Sequence, residues 1–126
     1  MRQSQVRAWI LLAVPDEPEP LSYVLGMADG LNKAIPKLDE LRDSLGWLQA
    51  ADLIAVDAGE FQRTAIGRGV ISECQVEGDT AFGLWDKVES ALQTICTDGA
   101  VPYDLTADEL QAAYDEYHRW FRATYK

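Results

Sequence analysis

The chain has 126 residues, of which 48% are hydrophobic, so it suits one domain with a proper core and global disorder is excluded. Eleven Lys and Arg residues against 21 Asp and Glu residues give a net charge of −10, and such a chain is repelled at long range by nucleic acid and by anionic membranes. Cys74 and Cys96 do not form a disulfide-rich pattern, and we expect two buried free thiols in a reducing cytoplasm.

The first 20 residues predict a helix followed by a stiff connector. The helix covers 4–14 and has Trp9 and Ile10 on its apolar side. Its apolar run, 8–14, is seven residues long, too short for a bilayer span of about 20 residues, and no small-x-small cleavage site follows. Three prolines within 15–20 then end the helix. We therefore expect a cytoplasmic protein with no membrane partner.

The next stretch predicts two helices joined by a turn. The first helix begins at Leu21 and is stopped by Gly30, and 31–35 forms the turn. Pro36 suits the first position of the second helix, because its missing N–H costs nothing there. This second helix ends at Gln49. Its apolar stripe consists of leucines spaced by three and four residues: Leu38, Leu41, Leu45 and Leu48.

A β-hairpin and a short helix follow. Residues 53–56 form a β-prone apolar run, 57–59 carry a turn signal, and 60–63 can return as the partner strand. A short helix is predicted over 66–74. Three of its apolar side chains are expected to face inward: Ile66, Val70 and Ile71.

Two further helices complete the chain. One runs from about Thr80 to Cys96, and the other begins near Ala107 after a capping box formed by Thr106 and Glu109. The apolar face of the first is Phe82, Trp85, Val88, Leu92 and Ile95. The stripe of the second is Leu110, Ala113, Tyr114, Tyr117 and Phe121.

The stretch from Leu21 to Gly67 carries two pieces that match a known family. They are AIPKLDELRDSLGWLQAADLI, a leucine-striped helix running into a strand, and RTAIG, which is similar to the L-T-x-x-G step that closes a wing and opens the next helix. The stretch resembles winged helix-turn-helix proteins of the broad MarR/PadR type, over well under half of the chain. The resemblance implies that the helix 36–49 reads the DNA major groove and that the wing tip, 57–60, contacts the DNA backbone.

We therefore expect a mainly α fold with a small β-hairpin wing, in a single domain covering 1–126. It would consist of an N-terminal helix and Pro-rich connector (1–20), a winged helix-turn-helix core (21–75) and a C-terminal helical pair (76–126). Flanking helices often form a dimer in the resembling families, and aromatic-rich faces are typical of interfaces. The residues expected at a homodimer interface are Trp85, Leu110, Tyr114, Tyr117 and Phe121.

An alternative to the dimer stands as its near equal. In this alternative, Tyr114, Tyr117 and Phe121 pack on Trp9 and Ile10 within one chain. Both arrangements would cover the aromatic stripe.

The charge of the central stretch disfavours DNA. Residues 20–70 hold five bases and seven acids, a net charge of −2, whereas DNA binding is driven largely by Lys and Arg neutralising phosphates. If DNA is bound, the expected contacts are Asn32, Lys33, Lys37, Arg42 and Arg63.

The outward face of the second helix favours a protein partner instead. It carries Asp39, Glu40 and Asp43, three carboxylates that phosphates would repel, and Trp47. Trp47 is interpreted either as core folded over the hairpin or as an exposed anchor for a partner. Since large aromatic side chains are usually mostly buried, the core interpretation is favoured.

The sequence contains no recognisable catalytic motif. His118 is the single histidine and is expected to be a capping or surface residue, and no spacing predicts a zinc site. We therefore expect a non-enzymatic recognition protein with no cofactor and no metal. The two interpretations are a DNA-binding transcriptional regulator, favoured by the fold, and an acidic protein-binding module of the adaptor, immunity or anti-defence type that keeps the fold without binding DNA.

Overall fold

The computed structural model describes residues 1–124, except for the side chains of Arg122 and Thr124. This part of the chain is mainly helical and carries a small antiparallel sheet, as the sequence predicts. In chain order the elements are α1 (Gln3–Ala13), β1 (Glu19–Pro20), α2 (Leu21–Asn32), α3 (Leu38–Ala50), β2 (Ile54–Asp57), β3 (Glu60–Arg63), α4 (Ala65–Cys74), α5 (Ala81–Leu92) and α6 (Ala107–Thr124).

Helix α1 lies at the centre of the core. It packs against α2, α3 and α5, and Trp9 is 2% exposed. The indole N–H of Trp9 donates to the backbone carbonyl of Ala28 at 2.9 Å, and its ring stacks on Trp85 of α5. The short apolar run of α1 is therefore core sequence that joins three other helices. No helix among the described residues is long and apolar enough to span a bilayer.

The turn between α2 and α3 differs from the predicted one. Helix α2 continues through Gly30 and leaves helical geometry at Lys33, which is left-handed (φ 52°) and donates its N–H to the carbonyl of Asp29. One glycine costs a helix only about 1 kcal/mol, which packing against α1 and α6 outweighs. Pro36 lies before α3, because Lys37 is the N-cap and Leu38 the first helical residue.

The sheet contains the predicted hairpin and one strand that was not predicted. Its strand order is β1-β3-β2. The hairpin turns at Ala58 and Gly59, whose φ angles of 52° and 77° match the positive values of a type I′ turn. The proline connector supplies β1, with Pro20 opposite Glu60. Proline lacks a backbone N–H, and it is tolerated at this position because β1 is an edge strand of this sheet.

The Thr-x-x-Gly step after the hairpin is a local hydrogen-bonded unit. Thr64 caps α4: its hydroxyl accepts the N–H of Gly67 at 3.1 Å and donates to the carbonyl of Asp52 at 2.7 Å. Gly67 lies against the backbone of Leu53, and a side chain there would overlap the Leu53 carbonyl oxygen. The motif thus joins the start of α4 to the start of the hairpin.

Two predicted core positions are wrong. Ile66 is 54% exposed, because the close approach of Gly67 to Leu53 turns the adjacent residue outward, while Ile71 is buried. Phe82 is 62% exposed, because it is the outermost ring of a stack in which Trp85 lies between it and Trp9.

A buried carboxylate fastens the N-terminus to α5. Glu89 is 6% exposed and accepts two hydrogen bonds from the Arg2 Nη2, at 3.1 and 3.2 Å, and one from the Ser4 hydroxyl at 2.6 Å. The Arg2 side chain is 67% exposed, so water solvates the outer side of this ion pair. The cluster links positions 85 and 87 residues apart, which no local pattern predicts.

We expect Glu89→Gln to lower the free energy of unfolding by about 1–2 kcal/mol, because charge-assisted bonds become weaker neutral ones. Glu73→Gln is the matched control, since Glu73 is exposed on α4. Urea unfolding followed by circular dichroism measures both variants. Equal midpoints would contradict a stabilising role for the Glu89 cluster.

Candidate recognition surface on the third helix

Helix α3 turns its leucine stripe inward, as predicted. Leu41, Leu45 and Leu48 are fully buried, and Leu38 packs partly buried at the helix start. The face on the opposite side of α3 is the one that a recognition helix would present to a ligand.

That outward face is crossed by the chain between α5 and α6. The backbone N–H of Tyr103 donates to the carbonyl of Arg42 at 2.8 Å. The backbone of Val101 lies directly on Gly46, where any side chain would overlap the Val101 carbonyl oxygen. We call residues 101–103 the strap. Gly46 is consequently buried although it does not belong to the leucine stripe.

The strap is anchored on the hairpin side as well. The ring of Tyr103 packs edge-on against Phe61 of β3, with centroids 5.6 Å apart, and Leu105 just beyond it is 5% exposed. Burial raises the pKa of the Tyr103 hydroxyl, and the carboxylates of Glu109 and Asp104 raise it further. Tyr103 therefore stays neutral across the physiological pH range.

The acidic residues of α3 are largely engaged within the chain. Asp43 accepts from the Nε and Nη2 of Arg7 at 3.1 and 3.2 Å. Glu40 accepts the backbone N–H of Lys37 at 2.9 Å, which caps the helix start. The Asp39 carboxylate is exposed and, within the described part of the chain, accepts only the adjacent N–H of Glu40.

Trp47 is a core residue, and its interpretation as an exposed anchor is wrong. It is 9% exposed, and the guanidinium of Arg7 lies 4.8 Å from its ring centroid. The covering group belongs to α1 rather than to the hairpin, because α1 packs along α3. Arg7 thereby shields both Trp47 and Asp43.

The predicted DNA-contacting residues do not form one continuous positive stripe. The Arg63 Nε donates to Asp16 at 2.8 Å, and its side chain is 16% exposed, because the proline connector runs beside β3. Lys33, Lys37 and Arg42 are exposed and form no ion pair within the described part of the chain. Asn32 is half-buried at the end of α2. Three cations thus remain available near the start of α3.

The aromatic residues of the C-terminal helices make many contacts inside the chain. The indole N–H of Trp85 donates to the carbonyl of Gln5 at 2.8 Å. Tyr117 is 6% exposed, and its hydroxyl donates to Asp29 of α2 at 2.7 Å. Leu110 and Tyr114 pack partly buried against the core, whereas Phe121 is 42% exposed.

The predicted packing of these aromatics on Trp9 and Ile10 is replaced by packing on α2. Helix α6 packs chiefly against α2, where the ring of Tyr117 lies against Gly26. Trp9 is already covered by Trp85, so α6 takes the neighbouring helix. Within residues 1–124, no three His, Cys, Asp or Glu side chains are grouped so that they could hold a metal ion, and His118 packs edge-on against Tyr114.

Sequence reasoning missed the strap, although one signal pointed to it. Gly46 lies inside a strongly predicted helix, where glycine costs about 1 kcal/mol relative to alanine. A glycine at such a position allows another backbone to approach closely but does not require it, since Gly30 lies inside α2 with nothing within 4 Å of an added carbon. The sequence does not say which backbone it is.

We expect Gly46→Ala to lower the free energy of unfolding by about 1–3 kcal/mol, because the new methyl group displaces the strap. Gly30→Ala is the matched control: it is also inside a helix, but nothing lies within 4 Å of the added carbon. It should raise stability by about 0.5–1 kcal/mol. Urea unfolding measures both, and stabilisation by both substitutions would show that the strap does not hold against α3.

Comparison with known proteins adds no family to this geometry. No protein-family model matches the chain, and no curated protein or solved structure is significantly similar to it.

Proposed function

We propose that this chain is a non-enzymatic winged-helix recognition protein whose ligand is another protein rather than DNA. The winged-helix part is supported by the order of elements: α1, β1, α2, α3 and then the β2–β3 hairpin. It is supported further by the strand order β1-β3-β2, in which β3 of the hairpin pairs with β1 and β2 forms an edge. The Thr64–Gly67 unit that begins α4 agrees with the same assignment.

The strap is the observation that favours a protein ligand. A recognition helix must enter the major groove with its outward face bare, so that side chains reach the base edges. Here the backbone of Val101 occupies that face at Gly46, and Tyr103 is hydrogen-bonded to Arg42. A duplex would have to remove the strap before α3 reached a base.

The charge distribution agrees with this proposal. The chain carries a net charge of −10, and Arg63 is neutralised by Asp16. Phosphates are bound by accessible Lys and Arg, whereas an acidic surface attracts a basic partner and accelerates the encounter. A basic protein is therefore the ligand that the electrostatics favour.

A DNA-binding regulator remains the second candidate. It is favoured by one observation: Lys33, Lys37 and Arg42 are exposed around the start of α3. These cations could contact the phosphates of a DNA backbone if the strap moved away. The two candidates therefore differ in a measurable response to duplex DNA.

We expect no binding to a fluorescein-labelled generic duplex in fluorescence anisotropy at low salt. A DNA-binding protein would show a non-specific Kd of about 10⁻⁴ to 10⁻⁶ M that weakens steeply as salt is raised. If the protein binds the duplex in a salt-dependent way, and Lys37→Ala and Arg42→Ala each weaken that binding, the result would favour the DNA-binding regulator instead. Arg63→Ala is the control, because Arg63 is paired with Asp16 and should contribute nothing.

The protein ligand itself is tested by carbodiimide cross-linking in a lysate of the source cells. This reagent joins carboxylates to lysine amines that lie in ion-pair contact, and nuclease treatment of the adduct removes any nucleic acid coupled through a terminal phosphate, so the remaining adduct reports a protein partner. The proposal expects a discrete protein adduct that high salt abolishes. Absence of any adduct, together with duplex binding, would overturn the proposal.

Dimerisation through the C-terminal helices is a separate proposal. Since Trp85 and Tyr117 hydrogen-bond within the chain, the interface would use the more exposed Phe121, and Phe82 of α5. We expect light scattering on a size-exclusion peak to give twice the 14.0 kDa chain mass, and Phe121→Ser to reduce it. A concentration-independent mass of 14.0 kDa would exclude the dimer.

A further inference from the structure

A shallow surface cleft of about 300 Å³ lies between β3, α2 and the first half of α6. Its floor is apolar: Leu21, Phe61, Leu105 and Ala113 line it, and each of them is at least nine-tenths buried. The ring of Tyr103 forms one wall. The cleft therefore adjoins the anchored end of the strap but lies away from the outward face of α3.

Two carboxylates flank this apolar floor. Glu109 and Glu116 line the cleft together with Ala112 and Ala113. Positions 109, 112, 113 and 116 share one face of α6, so the small alanines form a groove with a glutamate at each end. The helical rise of 1.5 Å per residue separates the two glutamates by about 10 Å along the helix.

The cleft contains acids and no cation to balance them. None of its lining residues is Lys or Arg, and the Glu116 carboxylate has no ion-pair partner within the described residues. Ser22 also lines the cleft and is 3% exposed. Burial raises the pKa of Tyr103, and the nearby carboxylates of Glu109 and Asp104 raise it further.

We propose that this cleft binds an arginine or lysine side chain presented by a basic segment of the protein partner. The apolar floor suits the methylene stem of such a side chain, and the glutamates suit its charged head. The volume accommodates one long side chain, at the lower limit of ordinary ligand pockets. This inference rests on the proposed function, since it names the partner's chemistry and the place where it binds.

The test uses a fluorescein-labelled peptide of alternating arginine and glycine, with the citrulline peptide as its uncharged control. We expect the arginine peptide to bind and the citrulline peptide not to bind. Glu116→Gln should raise the Kd about fivefold, because a charge pair over an apolar floor is lost. Glu73→Gln removes the same charge from an exposed site on α4. It should change the Kd less than about twofold, because salt screens a charge that is distant from the cleft.

A second variant and a spectrum locate the binding site. Ala112→Trp should block the groove and abolish binding, while circular dichroism confirms that α6 remains folded. In ¹⁵N–¹H spectra, the peptide should shift the amides of Gly59, Phe61 and Leu105 first. Equal effects of Glu116→Gln and Glu73→Gln, or shifts spread evenly over the acidic surface, would overturn the cleft as the site.

Two further outcomes separate this inference from the proposed function. If the arginine peptide does not bind at the cleft while carbodiimide still yields a protein adduct, the inference fails and the proposed function stands. If spermidine shifts the cleft amides and the arginine peptide does not, the ligand is a free polyamine and the inference fails again. If the protein binds duplex DNA, and Glu116→Gln does not change that affinity, the proposed function fails for a reason that does not involve the cleft.

Discussion

The burial of α1 between α2, α3 and α5 is the constraint on which the rest of the structure depends. It gives the leucine stripe of α3 an apolar surface to cover, and it brings Arg7 over Trp47 and Asp43. It also provides the site where Glu89 of α5 closes on Arg2 and Ser4. Because α1 fills the centre, the aromatic face of α6 packs on α2, where Tyr117 meets Asp29.

The packing around α1 decides which charged groups and helix faces remain exposed for recognition. The strap lies on α3 at Gly46, Arg7 pairs with Asp43 of α3, and Asp16 of the connector neutralises Arg63. Under the proposed function, the chain keeps a winged-helix scaffold while the strap lies on the helix that reads DNA in the resembling families. Glu109 and Glu116 of α6 line the cleft beside the hairpin, so the proposed basic partner would approach from that side.

The local interactions of this protein are readable from its sequence because they join residues that are neighbours along the chain. The capping box of Thr106 and Glu109 forms in both directions, with bonds of 3.0 and 3.1 Å. The turn at Ala58 and Gly59 and the cap at Thr64 likewise involve residues within three positions of one another. Strand β1 escaped prediction because a two-residue edge strand with proline has no pattern of its own.

The sequence by itself determined the helical stripes, the caps, the hairpin and the excess of acid, since each depends on spacing or composition. The tertiary structure alone decided which charges and faces remain free. Arg7 pairs with Asp43 across 36 positions and Arg63 with Asp16 across 47, and the strap reaches α3 from beyond α5. Such contacts depend on how the helices pack around α1. For that reason Arg63, an expected DNA contact, is paired with Asp16, and a backbone lies on α3 at Gly46.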